Sequence, residues 1–392
     1  MQLRVLRRVS RFPARNSTYF DPLAFEAFES VSKTTEEKAF LSDVHSKWHR
    51  PSGDNAILED NLRAYGTDSP NRQLAGDYLA VLKKTLDELR PSKPIIPLTL
   101  GGAANHPDFP RTTSPGFPWT TQGYQTKADV LADPIARGKI HRAWDSIGRG
   151  VNWSLPDSLA FHRTVASEKS KTKIRPVWGM PTDVILEEAR YFLPLVAHLK
   201  PHCNEYDTFY GLGLETALSG HQHLARSFTS PEVKANLNAD MSQFDAHVPQ
   251  WIIRDVFAHV SGWFDFTRVQ DSEGKVWNVN PDQTCRRWKA MISYFIKTKI
   301  RTPTGLRFQK FQGVPSGSMF TNFMDTCVNA VQMRLALRRT EGNIIVKDYY
   351  YGDDSTLFLR DSIDLDALAL ELKTTFGAVM SVDKTVLTDN PD

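Results

Sequence analysis

Cysteine is scarce in this chain of 392 residues: Cys203, Cys285 and Cys327 stand far apart, without the close pairs that a zinc ribbon or a redox motif requires. The same scarcity excludes a disulfide-built scaffold, and the odd count points to a reducing intracellular setting. No apolar stretch approaches the length needed to span a bilayer, and no internal repeat is present. A dominant charge is lacking too: 48 Lys and Arg against 45 Asp and Glu leave a net charge of +3. Acids are missing locally from the N-terminus, where Arg4, Arg7, Arg8, Arg11 and Arg15 precede the first acidic residue, Asp21. Such a stretch fits a mitochondrial presequence, or equally an arm that touches a polyanion or a protein partner.

What is present is enough apolar material, 41% of the residues, to bury a large core in more than one subdomain. Prolines at 91, 94, 97, 107, 110, 115 and 118 mark a long irregular connection after an N-terminal helical region. His221-Gln222-His223 reads as a surface turn rather than a metal site.

Three segments carry chemistry. Near the end, Tyr351-Gly352-Asp353-Asp354 interrupts a run rich in branched and aromatic residues, which predicts a β-hairpin with Asp353 and Asp354 at its tip. Neighbouring carboxylates repel, and their hard oxygens suit Mg²⁺ or Mn²⁺, although a solvated turn can carry the same residues. Upstream, Leu237, Ala239 and Met241 alternate with Asn236, Asn238 and Asp240, which predicts a strand ending at Asp240. Asp245 follows after a short turn, and Pro249 opens a helix marked by Ile252, Ile253, Val256, Phe257 and Val260. Two-metal phosphoryl transfer needs carboxylates from separate strands to hold ions about 4 Å apart. Between these acidic sites, Gly313-Val314-Pro315-Ser316-Gly317-Ser318 opens a long helix on which Thr321, Asp325 and Asn329 recur at four-residue steps. That stripe reads either as a solvated helix face or as one side of a site.

In this order the three segments resemble the motifs of the viral RNA-dependent RNA polymerases: motif A in Asp240-x4-Asp245, motif B in Ser316-Gly317-x3-Thr321-x7-Asn329, and motif C in Gly352-Asp353-Asp354. Lys169-Ser170-Lys171-Thr172-Lys173-Ile174-Arg175-Pro176 is similar to motif F, a basic segment over the nucleotide triphosphate. Thr113-Ser114-Pro115-Gly116-Phe117-Pro118-Trp119 resembles motif G at the template entrance, and Phe376 to Met380 with Asp383-Lys384-Thr385 resembles motif D. The wording is closest to the partitiviruses and their double-stranded RNA relatives. Met241, where those relatives often carry an aromatic residue, is a departure.

The resemblance implies an α+β right-hand fold with fingers and palm, the palm an antiparallel sheet with helices on one face. Residues 1–110 would form an N-terminal extension and fingers, 111–235 further fingers, and 236–392 the palm with a finger insertion at about 265–312. Because the sequence stops soon after motif D, at Asn390-Pro391-Asp392, little or no thumb is expected. Asp240, Asp353 and Asp354 would hold two Mg²⁺ ions, with Mn²⁺ an alternative, and Lys384 would protonate the departing pyrophosphate. Asp245 and Asn329 would read the ribose 2′-hydroxyl. Ser316, Gly317 and Thr321 would position template and nucleotide, and Ser114 and Gly116 would touch RNA. Lys173 and Arg175 would hold the triphosphate, with Lys169 and Lys171 in support. Expected partners are RNA template, nascent RNA, NTPs and a viral capsid protein, in the virion and host cytoplasm, with mitochondrial import the other reading of the N-terminus. The modest net charge suggests RNA in an internal channel rather than on a basic outer face. Two other readings stay open: a reverse transcriptase, which would usually carry a bulky steric gate where Asp245 stands, and an inactive RNA-binding remnant.

Overall fold

The computed structural model describes residues 2–13, 21–72, 76–215, 217 and 219–389. Arg15 of the basic stretch and the terminal Asn390-Pro391-Asp392 lie outside the described residues. Described helices are α1 (Pro22–Val31), α2 (Thr35–Lys47), α3 (Asn55–Arg63), α4 (Gly76–Asp87), α5 (Leu100–Asn105), α6 (Lys127–Ala132) and α7 (Pro134–Gly148) in the first part of the chain. They continue with α8 (Thr182–Asn204), α9 (Gly220–Phe228), α10 (Phe244–His247), α11 (Gln250–Ser261), α12 (Pro281–Ile296), α13 (Thr321–Thr340) and α14 (Leu365–Phe376). The strands are β1 (Leu3–Val5), β2 (Trp48–His49), β3 (Ser158–Thr164), β4 (Ser167–Glu168), β5 (Ile174–Gly179), β6 (Ala235–Ala239), β7 (Arg268–Gln270), β8 (Val276–Asn278), β9 (Lys299–Arg301), β10 (Arg307–Lys310), β11 (Ile345–Tyr351), β12 (Asp354–Leu359) and β13 (Val386–Asp389).

Two sheets organise the chain. The first has the order β11-β12-β6-β13, and every neighbouring pair in it is antiparallel. The period-two pattern of β6 buries Leu237 and Ala239 and leaves Asn238 and Asp240 open, as the alternation predicts. Helix α13 backs this sheet: Arg334 on α13 donates from Nε to Asp348 Oδ2 of β11 at 2.7 Å. Along this helix Phe323, Met324, Cys327, Val328 and Val331 are wholly buried, each large side chain contributing roughly 1.5–3 kcal/mol. The solvated reading of the α13 stripe is overturned, because Asp325 and Asn329 are only 4% and 0% exposed. The opposite face is not bare either. A second apolar cluster forms there from Val233, Tyr349 and Phe358, covered by Tyr206, Leu214, Leu224 and Phe228.

The second sheet has the order β1-β10-β9-β3-β5 and draws its strands from three distant parts of the sequence. Its edge is β1, and the basic N-terminal stretch docks along the sheet from Leu3 to Phe12. Leu3, Arg4 and Val5 pair with Lys310, Gln309 and Phe308, and the N–H groups of Leu6, Val9 and Phe12 continue onto the carbonyls of Arg307, Gly305 and Pro303 at 2.8, 3.0 and 3.3 Å.

Two further expectations need correction. The proline-rich connection contains a helix, α5, capped by the Thr99 hydroxyl accepting the Gly102 N–H. His221-Gln222-His223 lies in α9 and is no surface turn: the His223 ring stacks on Tyr206 at 4.1 Å and bonds to the Tyr349 hydroxyl. Among the described residues no helix is long and apolar enough to cross a membrane.

Candidate active site

The acidic segments converge at one end of the antiparallel sheet. Tyr351 pairs with Asp354, so Gly352 and Asp353 form a two-residue hairpin loop. Gly352 sits at φ +67, which glycine adopts without the Cβ clash that other residues meet. Helix α13 fastens this turn from below. The Gly352 N–H donates to Thr326 Oγ1 at 2.8 Å, and Asn329 Nδ2 donates to the carbonyls of Gly352 and Asp353 at 3.2 and 3.0 Å. On the neighbouring strand Ala239 pairs with Ser355, which brings Asp240 alongside Asp354. Asp240 is fixed through its backbone, its N–H donating to Thr385 Oγ1 at 3.2 Å and its carbonyl accepting the Ser381 N–H at 2.8 Å. The motif-D-like segment therefore lies beside the strand that ends at Asp240, and Lys384 Nζ stands 3.9 Å from Asp240 Oδ1. A cavity of about 660 Å³ opens over this corner, lined by Asn238, Asp240, Tyr351, Asp354, Lys384 and Leu212 among others.

Electrostatics tie the carboxylates together. Burial, then the charges of Asp353 and Asp240, hold the Asp354 carboxyl above the ordinary range, while Arg175 opposes them. Asp245, on the short α10, is pushed up to about 6 by burial; its side chain is within hydrogen-bonding reach of Asp325, and Arg175 and Lys310 favour its anion. Burial, then Asp245, drives the Asp325 carboxyl well above the usual carboxylate range. Two carboxylate oxygens can share a hydrogen bond only if one of them carries the proton, so Asp325 is the neutral donor of this pair.

Mutual repulsion among exposed hard oxygens is what a divalent cation relieves, so the donor chemistry of Asp240, Asp353 and Asp354 fits Mg²⁺. The coordination geometry is not formed, because among the described residues no three acidic, histidine or cysteine side chains converge closely enough to hold an ion.

The remaining sequence-expected residues divide into two groups. Lys169, Lys171 and Lys173 are exposed on the loop between β4 and β5, with Lys171 3.5 Å from Glu168. Arg175, exposed on β5, is the basic residue of that segment whose charge reaches Asp245 and Asp354. Ser114 is exposed, and its carbonyl accepts from the buried Lys127 Nζ at 2.7 Å. Ser316 is half-buried, and its carbonyl accepts the Trp178 N–H at 2.9 Å. Thr321 closes the loop ahead of α13 by donating to the Pro315 and Ser318 carbonyls, each at 2.9 Å.

Gly116, Gly317 and Asn329 also meet close structural neighbours. Gly116 is buried at φ +69, where a Cβ would stand 2.5 Å from the Met180 carbonyl. A Cβ on Gly317 would meet the Trp178 carbonyl at 2.0 Å. Asn329 is wholly buried, its Nδ2 donating to the hairpin turn while its Oδ1 has no hydrogen-bond partner, and Asp325, one helical turn earlier, is within hydrogen-bonding reach of Asp245.

Sequence reasoning missed Lys310 and Glu188. Lys310 is fully buried and donates to the carbonyls of Phe295, Ile296 and Gly313 at 2.6, 3.2 and 2.6 Å. Its period-two phase with Phe308 in β10 was the available signal. Glu188 Oε2 accepts the Met319 N–H at 2.8 Å from inside α8, and no local pattern marks it.

A model of the family described as viral RNA-dependent RNA polymerase matches residues 29–392. An RNA-directed RNA polymerase of Cryptosporidium parvum virus 1 is 26% identical over 287 residues, covering 71% of this chain and 49% of the relative. One of Atkinsonella hypoxylon virus is 26% identical over 265 residues, covering 58% of this chain and 39% of the relative. A genome polyprotein of Human klassevirus 1 is 23% identical over 246 residues, 62% of this chain and 9% of that polyprotein. The chain thus spans about half the length, or less, of the curated relatives it matches. The resemblance read from the motifs is borne out by these matches.

Proposed function

The chain belongs to the viral RNA-dependent RNA polymerase family, and from that premise we propose that it joins ribonucleotides to an RNA 3′ end as directed by an RNA template. The observation that carries this reading is the gathering of Asp240, Asp353 and Asp354 at one sheet end, with Arg175 from the other sheet in charge reach. On this reading the antiparallel sheet with α13 and α14 is the palm, and the five-stranded sheet with its helices belongs to the fingers.

Asp240, Asp353 and Asp354 would hold two Mg²⁺ ions, or Mn²⁺, which when bound supply activation of the 3′-hydroxyl and charge neutralisation at the phosphates. Lys384, beside Asp240, holds a proton within reach of the same corner and serves as the acid for the departing pyrophosphate. Arg175 and Lys173 orient the triphosphate. Asp245 reads the ribose 2′-hydroxyl, with the neutral Asp325 donating to it; Ser316 and Thr321 shape the loop that supports template and nucleotide, and Ser114 meets the template. A small Asp245 in place of a bulky gate favours ribonucleotides over the reverse-transcriptase reading. RNA and NTPs are the proposed partners, a capsid protein a further one, and the virion and host cytoplasm the proposed setting.

Primer extension with rNTPs and, separately, dNTPs tests the reading. Mg²⁺-dependent extension with rNTPs, at least about a hundredfold faster than with dNTPs, is expected from loss of the 2′-hydroxyl contacts. Preferred extension with dNTPs supports the reverse-transcriptase reading, and RNA binding without extension by either supports an inactive remnant.

A further inference from the structure

Lys310 carries its charge into the core without a carboxylate bonded to it. Among the described residues its hydrogen bonds all go to carbonyls, those of Phe295 and Ile296 at the end of α12 and that of Gly313 ahead of α13. Three acceptors use the three N–H bonds of an ammonium group. The Phe295 and Trp178 rings, with centroids 5.5 and 5.9 Å from Nζ, favour the cation as well. Taking an ion out of water costs several kcal/mol, so a buried charge of this kind calls for a counterpart. The carboxylate in charge reach is Asp245.

Gly313 and Val314 tie the two together. The Gly313 N–H donates to the Val248 carbonyl at 2.8 Å, and the Val314 N–H donates to the Asp245 carbonyl at 2.7 Å. On the other side, the Gly313 carbonyl accepts from Lys310 at 2.6 Å and the Val314 carbonyl from the buried Tyr65 hydroxyl at 3.0 Å. All four backbone polar groups are thus used, two toward the segment that bears Asp245 and two toward Lys310 and Tyr65. Gly313 sits at φ +75, and a Cβ there would stand 2.5 Å from the Tyr65 ring and 2.6 Å from the Asp245 carbonyl. Glycine is what lets these groups close up. Lys310 therefore holds its charge at a fixed place relative to Asp245.

The charge acts on one member of the buried carboxyl pair. Lys310 and Arg175 favour the anion of Asp245, whereas the charges that bear on Asp325 are those of Asp245 and Asp353, both negative. Arg175 is exposed and screened by solvent, and Lys310 is wholly buried, so Lys310 is the stronger influence. We propose that Lys310 is a positioning residue that keeps Asp245 as the anion and Asp325 as the proton carrier, and so decides what Asp245 offers a sugar. An anionic Asp245 can only accept, which suits the hydrogen of a 2′-hydroxyl. With the proton moved to Asp245, the anion would lie on the buried Asp325 instead. That the pair meets a ribose rests on the polymerase reading; the place of its proton does not.

The proton is located first, without nucleotide, by NMR of the carboxyl carbons in isotope-labelled aspartate, with Asp245→Asn and Asp325→Asn assigning the two signals. Wild type should show Asp325 as an acid and Asp245 as a carboxylate. Lys310→Met should draw the two signals together. Should that variant not fold, Lys310→Gln, which loses the charge and keeps two donors for the carbonyls, is measured in its place. Primer extension gives the second readout. Loss of Lys310 should lower the ratio of kcat/KM for rNTPs over dNTPs about tenfold or more, chiefly through a higher KM for the rNTP. Adding Asp325→Asn, which donates to Asp245 without a mobile proton, should restore most of that ratio. Tyr65→Phe frees the Val314 carbonyl but leaves the ammonium, so it should lower kcat for both sugars and leave the ratio unchanged. Signals that are alike in wild type, or an acid signal on Asp245, overturn the proposal. So does a ratio that Asp325→Asn fails to restore, which would leave Lys310 with a structural role only. A chain that extends with neither sugar defeats the polymerase reading and leaves the NMR result standing.

Discussion

The two sheets carry opposite charge, and on the polymerase reading they would meet the same ligand from opposite sides. The antiparallel sheet gathers carboxylates at a tip and leaves them repelling one another, and the five-stranded sheet spreads cations over a face and leaves Arg163 against Arg175. Each arrangement is unfavourable alone. A metal-bound polyphosphate satisfies both at once, since cations quench the acidic tip and phosphates quench the basic face. The difference lies in construction. The acidic tip is made by local hairpin geometry and one neighbouring strand, whereas the basic face needs strands from residues 3–5, 158–179 and 299–310. Charge repulsion left in a folded structure thus marks where a ligand of the other sign belongs.

The hardest test of the acidic side is Asp353→Ala. Asp353 is exposed at a hairpin loop, and its side chain supports no packing, so Tm should move little. Nucleotide addition should fall at least about a thousandfold, the several kcal/mol that a bound metal supplies. Substantial Mg²⁺-dependent extension by the folded variant would remove the carboxylate tip from the chemistry and leave the basic face without its counterpart.

Helix α8 joins the two sides, leaving β5 and gripping the loop before α13 through Glu188. Glu188 is wholly buried, and burial pushes its carboxyl up to about 7 from an ordinary 4.5. Because the folded value is the raised one, the folded chain keeps a proton that the unfolded chain releases as pH rises above 4.5. Stability from this group is full at low pH, falls between about 4.5 and 7, and is level above; the loss is roughly 3 kcal/mol. Gln at 188 can still accept the Met319 N–H but cannot ionise. Urea unfolding should therefore show the Glu188→Gln variant gaining on wild type by roughly 2–3 kcal/mol between pH 5 and pH 7. A stability difference that stays constant with pH would show that Glu188 does not titrate in this range.

Local patterns carried the acidic tip into the sequence reading. The alternation through Leu237 and Ala239, the Gly352 turn and the four-step stripe on α13 are all short-range signals, and each element stands where they put it. What the patterns left open is which side of an element meets what. Thr321, Asp325 and Asn329 share a stripe, but a stripe does not say that Asn329 lies under the hairpin and Asp325 beside Asp245. Gly116 and Gly317 read as loop glycines near RNA, and at both the lack of a Cβ also admits a close carbonyl, from Met180 and Trp178, which the sequence does not show. The docking of β1 on β10 joins segments some three hundred residues apart, and no periodicity encodes such a pairing. Ionisable residues inside α8, such as Asp183 and Glu188, look like the solvent face of an ordinary helix until the surrounding loops are in place.

The finest distinction on the acidic side is between Asp325 and Asn329. Asn329 donates to two turn carbonyls, and Ala there leaves both without that donor, at a cost of about 1–3 kcal/mol. The expected result is a lower kcat, from a hairpin that no longer holds Asp353 still, with the rNTP to dNTP ratio of kcat/KM unchanged. Asp325→Ala takes the proton donor from Asp245 and leaves the hairpin turn intact. Its effect should appear in sugar choice, with discrimination against dNTPs falling by about 1.5–3 kcal/mol, the worth of one hydrogen bond to a charged group. Asp325→Asn restores a donor without a titrating proton and should recover most of that discrimination. If instead Asn329→Ala relaxes sugar choice and Asp325→Ala does not, the buried carboxyl pair is only a packing feature, and Asn329 must leave the turn to meet the nucleotide.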